Sequence, residues 1–312
     1  MKNGIRKLFG KGILFVGIIC FLCTVFVSMS MREPYRTVIA KWTGSEEFMG
    51  DSGILTYFEQ VRTPDQTTQL VIGDSICRQM FIDLSEYNPQ MSIQATNAAF
   101  MVTGQYLLAE EYLKAHPEAT DIFLVMHPMA ITRTFDTEWS YRYAVMTYVE
   151  TDTIGYLDEN TLDDMASVYG RFFMEKKIVN VIENSPMVRK LYLSYININR
   201  EEYIQSSPFE IADQYVKKLY DLCEENGVTL HVYASPVSET FRERTEELEK
   251  EYGTTWMSTR YPDFFHDILY YPDEWSEDTS HFSGEYAERE GLDKIIEMAY
   301  DGTELFENLR KN

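Results

Sequence analysis

Cysteine is scarce in this sequence, with four in 312 residues. Two of them, Cys20 and Cys23, fall in an apolar run near the N-terminus, where a thiol behaves as a small apolar group. The other two, Cys77 and Cys223, stand far apart, and spacing alone does not say whether they meet. No Cys/His spacing resembles a zinc site, and no metal or other cofactor is expected. Internal repeats and low-complexity tracts are also missing. Basic charge is concentrated at one end. Residues 1–32 hold five Lys or Arg and no acid, whereas the rest of the chain carries 23 basic and 50 acidic residues, a balance of −27. That surface repels phosphate backbones, so nucleic-acid binding is excluded.

Charge is absent altogether from one stretch. "GILFVGIICFLCTVFVSMSM", residues 12–31, is long enough as a helix, at about 1.5 Å per residue, to cross the ~30 Å hydrocarbon layer. Lys2, Arg6, Lys7 and Lys11 precede it, and the first acid is Glu33. The positive-inside rule puts residues 1–11 in the cytoplasm as a basic tail, 12–31 in the membrane as an anchor, and the remainder outside. A cleaved signal peptide is the alternative, but its apolar region is usually shorter, and "VSMSM" is a poor cleavage site.

What is present is a large aromatic-rich core composition, with 22 Tyr, 18 Phe and 45% hydrophobic residues. Residues 32–68 read as a polar tether without clear periodicity. From 69 the pattern alternates. "TQLVIG", "MSIQATNAAF", "DIFLVMHP" and "VTLHVYASP" read as strands, the third apolar throughout its centre as in a sheet covered on both faces. Helices are expected through "ICRQMFIDLSEY", "YLLAEEYLKAHP", "FEIADQYVKKLYDLCEENG" and "SETFRERTEELEKEYG", the third stopped by Gly227. Residues of about 132–208 break the alternation and read as a helical insertion, with "LDDMASVYGRFFMEKKIVNVIE" its clearest helix. "TFDTEWSYRYAV" within it reads as core and cap, with stacking on a glycan as the alternative. The expected fold is α/β, a parallel sheet between two layers of helices, spanning residues 69–312.

In such sheets the functional groups gather at the C-terminal strand ends. Gly73-Asp74-Ser75, Asn97 and His127-Pro128 occupy three of those ends. A serine hydroxyl needs a neighbouring base to become a nucleophile, and imidazole titrates in the useful range. "EDTSHFSG" supplies His281 with Asp278 three residues before it, a carboxylate to fix the tautomer. The Ser75 N–H and the Asn97 amide are candidate oxyanion donors, and His127 is a candidate for lining the site. Asp74 reads as a brace for the turn. His231 reads as a core histidine, and His116 and His266 as packing or surface residues.

Gly73-Asp74-Ser75 early, with Asp278-x-x-His281 late, resembles the SGNH/GDSL hydrolase superfamily. "DTSHFSGEYAE" also looks like its membrane-tethered, extracytoplasmic branch, which includes proteins of alginate O-acetylation and of teichoic-acid D-alanylation. The resemblance implies a three-layer α/β/α, flavodoxin-like fold, and Ser75 as nucleophile with His281 and Asp278 completing a triad. It further implies an acyl-ester enzyme, transferase or esterase, acting on a cell-surface polymer beside a membrane-bound O-acyltransferase. The other reading is a non-catalytic partner of such an acyltransferase. Two blocks depart from the family pattern: Gly104 lies well beyond Asn97, and the third strand runs into "MHPMAIT" where an asparagine is usual.

Overall fold

In a computed structural model of the chain, the described residues are 2–44, 54–81, 88–99, 101–133, 135, 141–150, 152–157, 159–199, 209–278, 280–284 and 291–310. The chain divides into two compact units. One comprises residues 1–51 with 136–203, the other 52–135 with 204–312.

The second unit is mixed α/β. Four strands, β1 (Gln69–Gly73), β2 (Met91–Ile93), β3 (Asp121–Met126) and β4 (Thr229–Ala234), form a parallel sheet in the order β2-β1-β3-β4. The register pairs Gln69 with Met91, Gly73 with Val125, and Met126 with Ala234. All four are the strands expected from the apolar runs. Residues on both pleat faces of the central pair are buried: Leu70 and Ile72 on one, Val71, Phe123 and Val125 on the other. Val71, Phe123 and Val125 pack with Ile76, Met80 and Phe81 of the helix Ser75–Phe81, and with Ile295, Tyr300 and Phe306 near the C-terminus. Each such aliphatic or aromatic side chain contributes roughly 1.5–3 kcal/mol by leaving water.

Strand order decides where a site can form. From β1 the chain moves to β2 on one side, then crosses back to β3 on the other. The C-terminal ends of β1 and β3 therefore flank the point where the winding reverses, the place where sheets of this kind carry their sites. Gly73 packs tightly at the end of β1. A Cβ on it would lie 2.0 Å from the Val125 carbonyl oxygen and 2.7 Å from the Cys77 Cβ, so no side chain fits. A second, two-stranded parallel pair, β5 (Val237–Ser238) with β6 (Tyr270–Tyr271), was not expected from the sequence.

Helix ends follow local chemistry. Gly227 ends the helix Glu210–Asn226 in the left-handed region, at φ 70°, and its N–H reaches the Cys223 and Glu224 carbonyls. The helix expected over "ICRQMFIDLSEY" is described from Ser75 to Phe81, and residues 82–87 lie outside the described residues.

The other unit is helical and differs from expectation in three ways. The segment 32–68 read as an irregular tether contains two helices, Tyr35–Thr43 and Ile54–Arg62, the second of which belongs to the α/β unit. The single helix expected over residues 162–183 is two, Glu159–Tyr169 and Lys176–Asn184. Gly170 breaks it, because its φ of 80° lies in the left-handed region that helices do not use. Residues 136–203 also cluster with the N-terminal helix Lys2–Ser30, not with the sheet. Of "TFDTEWSYRYAV", residues 134 and 136–140 lie outside the described residues. Tyr141 is fully buried and donates to the Phe173 carbonyl at 2.9 Å, a core role. Among the described residues one helix, over Lys11–Ser30, is long and apolar enough to cross a membrane, with a mean hydropathy of 2.6, a property that anchors and signal sequences share.

Candidate active site

Asp74 builds the turn that presents Ser75. Its Oδ1 accepts from the N–H groups of Ile76 (3.0 Å) and Cys77 (3.3 Å), capping the helix that Ser75 begins. Its Oδ2 accepts from the His127 N–H at 2.7 Å, tying the end of β1 to the end of β3. Burial pushes this carboxyl above the ordinary aspartate range, and the three N–H donors offset only part of that. Asp74 is thus the brace expected from the sequence.

The chain returns to this point 206 residues later. Ser75 Oγ lies 2.6 Å from His281 Nε2, and His281 Nδ1 lies 2.8 Å from Asp278 Oδ2. With the serine hydroxyl donating to Nε2, Nδ1–H donates to the carboxylate, which fixes the tautomer a general base needs. Asp278 serves the loop as well as the imidazole. Its Oδ1 accepts from the N–H groups of Ser280 (3.1 Å) and His281 (2.7 Å), so the Asp-x-x-His spacing closes a turn and aims the ring together. Desolvation raises the Asp278 carboxyl, but the His281 and Ser280 hydrogen bonds outweigh it and hold it below the usual carboxylate range.

Gln79 was not singled out in the sequence, yet it docks the histidine loop. From the helix that begins with Ser75, its Nε2 donates to the Phe282 carbonyl (2.6 Å) and its Oε1 accepts from the Phe282 N–H (2.8 Å). Phe282 itself is fully buried against Tyr271. The backbone carbonyl of His281 also accepts from Glu277 N–H and Ser276 Oγ. The only signal in the sequence was an apolar residue directly after the histidine in an otherwise polar loop.

The expected oxyanion pair is arranged differently. The Ser75 N–H donates to Asn97 Oδ1 at 3.2 Å, so that N–H is already engaged. The donor end of Asn97 is then its Nδ2. Gly104, seven residues beyond Asn97, sits beneath the turn Asn97–Ala99: a Cβ there would lie 1.7 Å from the Ala99 carbonyl oxygen. Gln105 Nε2 donates to the Gly73 (2.5 Å) and Thr96 (3.3 Å) carbonyls, joining this turn to β1.

His127 stands at the rim of β3, 7% exposed. Its Nδ1 accepts from the Met129 N–H at 3.1 Å, which leaves the ring proton on Nε2. Nε2 is buried and has no hydrogen-bond partner among the described residues. Burial, reinforced by the nearby charges of Arg133 and His281, lowers this imidazole to about 4, so it is neutral at physiological pH. It is a donor without an acceptor beside the triad.

The remaining histidines serve structure. His231 pairs with Asp121 at 3.0 Å and stacks on Phe123, at a partly buried position of β4. His116 is buried, bonded to the Tyr112 carbonyl and Asp65, and His266 is exposed. Cys77 and Cys223 are both buried free thiols and form no disulfide. Among the described residues no cluster of three or more His, Cys, Asp or Glu could hold a metal ion. No protein-family model, curated protein or solved structure matches this chain.

Proposed function

We propose that the chain is a membrane-anchored, extracytoplasmic serine acyl-ester enzyme of the SGNH type, with its sheet as the centre of a three-layer α/β/α domain. The observation that carries this reading is the relay from Ser75 through His281 to Asp278, at 2.6 and 2.8 Å. Ser75 Oγ attacks an ester or thioester carbonyl while its proton passes to His281 Nε2. Asp278 stabilises the imidazolium, which then protonates the leaving oxygen or sulfur. Attack on the acyl-Ser75 by water, or by a sugar hydroxyl, releases the enzyme. Asn97 Nδ2 and His127 Nε2–H are the donors available to the oxyanion, each of a kind that is worth a few kcal/mol when preorganised out of water.

The substrate class follows from the resemblance and the anchor: acyl groups on a cell-surface polysaccharide or a teichoic-acid-type polymer, handled beside a membrane-bound O-acyltransferase. Residues 1–11 then lie in the cytoplasm and the α/β unit outside. One observation favours a second reading, a non-catalytic partner of the acyltransferase: the engaged Ser75 N–H removes a donor that an acyl-transfer site normally uses.

Labelling separates the two. Full-length protein in detergent, treated with a fluorophosphonate and read by intact mass, is expected to gain one adduct that is lost in Ser75→Ala and in His281→Ala. Well-folded wild type that takes up no adduct would sink the catalytic reading in favour of the scaffold.

A further inference from the structure

We propose that the helical unit carries a lipid-binding face, an aromatic and aliphatic stripe that lies in the headgroup and upper acyl region of the same bilayer the N-terminal helix spans. The inference rests on the anchor reading of that helix, and goes beyond it by assigning a second, tertiary membrane contact.

The boundary between lipid and protein falls at one residue. Side chains along the apolar helix are exposed from Ile13 to Met29, apart from the half-buried Val27, and Ser30 is then fully buried. Ser30 Oγ meets the equally buried Ser185 Oγ at 2.6 Å, at the start of the helix Pro186–Asn199. That helix packs on both Lys2–Ser30 and Tyr35–Thr43. No slack linker separates span from unit. Backbone bonds from Met31 N–H to the Val27 carbonyl and from Arg32 N–H to the Met29 carbonyl continue the turn, and Arg36 N–H to the Arg32 carbonyl opens the next helix. Only the turn Met31–Pro34 separates Ser30 from Tyr35, and these backbone bonds keep it compact, so Tyr35 begins close to the end of the span.

At that depth the exposed surface is the wrong kind for water. Tyr35, Val38 and Trp42, at spacings of three and four, fall within about 60° of one another on the helix. Val38 is 64% and Trp42 74% exposed. On the adjoining helix, Leu191 and Tyr195 are four residues apart and also exposed. Tyr and Trp are the side chains that favour the interface, where the ring is apolar and its edge hydrogen-bonds. The exposed Arg32 and Lys41 flank the stripe in a chain whose net charge is −22, and long basic side chains reach headgroup phosphates from such a position. Among the described residues from Met31 to Gly44 the one acid is Glu33, which accepts from Thr37 Oγ1 at 2.7 Å. Continuity with the span, aromatic composition and local basic charge together select lipid as the occupant.

The test uses full-length protein reconstituted into vesicles of four parts phosphatidylcholine to one part phosphatidylglycerol, with and without acyl chains brominated near the headgroup. The chain has four tryptophans, so the difference between wild type and Trp42→Phe isolates Trp42 emission. Brominated lipid is expected to quench that difference signal about twofold or more, while aqueous acrylamide leaves it nearly unchanged. Trp42 quenched by acrylamide and not by bromine would overturn the proposal, as would Trp42 shielded from both, which would mean a protein partner or second copy covers it. Flotation of the vesicles separates the premises. Protein that does not float sinks the anchor reading and this inference with it; protein that floats with Trp42 unquenched by bromine sinks the inference alone.

Discussion

The two units use buried polar side chains for different ends. In the α/β unit, Asp74, Gln105 and His127 are buried where the ends of β1 and β3 meet, and each holds backbone groups around Ser75 or its neighbours. In the helical unit, Arg189 is fully buried and donates to the Ile182 and Glu183 carbonyls, while Ser30 and Ser185 join the N-terminal apolar helix to the helix beside it. One set arranges reactive atoms; the other closes helix ends that would otherwise present bare carbonyls. The lesson is that buried polarity builds a site where several such groups converge on one reactive side chain, as Asp74 and Gln105 do around the turn of Ser75, and not where it only satisfies carbonyls, as Arg189 does.

Substitutions can sharpen this contrast, beginning with the largest expected effect. Asp278→Asn should lower the rate of ester hydrolysis or fluorophosphonate labelling by about 10³–10⁴-fold, because an amide supports the wrong tautomer of His281. Stopped or discontinuous assay of the purified protein reads this directly, and a loss below tenfold would show that Asp278 holds only the loop.

Asp74→Ala should cost about 3 kcal/mol of stability, since it strands the N–H groups of Ile76, Cys77 and His127 in a buried turn. Urea unfolding of the α/β signal measures it. A cost under 1 kcal/mol would mean water replaces the carboxylate, and that the brace is dispensable.

His127 makes a pH-dependent contribution of up to about 3 kcal/mol, the span between an ordinary imidazole and one held at about 4. Between those values the unfolded chain binds a proton that the native state refuses. Stability therefore falls as pH drops from the ordinary imidazole range toward 4, and levels off below. His127→Gln should flatten that part of the curve relative to wild type. Parallel curves for the two proteins would show that His127 protonates in place.

The smallest expected effect is in the other unit. Ser185→Ala removes one buried hydroxyl partner of Ser30 and should cost about 1 kcal/mol, with labelling of Ser75 unchanged. A fall in labelling would break the division of labour between the units.

Some of this was legible in the residues themselves. Apolar runs bounded by turns marked β1 and β3, because a strand buried on both faces has to be apolar at successive positions, whereas β2 and β4, buried at fewer positions, were marked by their place in the strand–helix alternation. Gly227 marked a helix end because only glycine takes the left-handed conformation cheaply. Ser75, His281 and Asp278 were singled out by residue type and order, and Asp278-x-x-His281 is a turn the carboxylate itself closes.

What the chain's sequence could not express is contact between segments distant along it. Gln79 clamping Phe282, and Asn97 taking the Ser75 N–H, both depend on side chains whose partners lie 203 and 22 residues away. Gly104 gained its role only when the turn Asn97–Ala99 came to rest on it. The insertion at 136–203 likewise showed helical periodicity but not its partner, since an amphipathic face specifies that something apolar covers it and not which element does. Local propensity, span and turn chemistry are properties of neighbours in the chain and were determined by sequence alone. The occupied N–H at Ser75, the free Nε2 of His127 and the union of the insertion with the apolar helix were decided by packing, which couples residues that no short pattern contains.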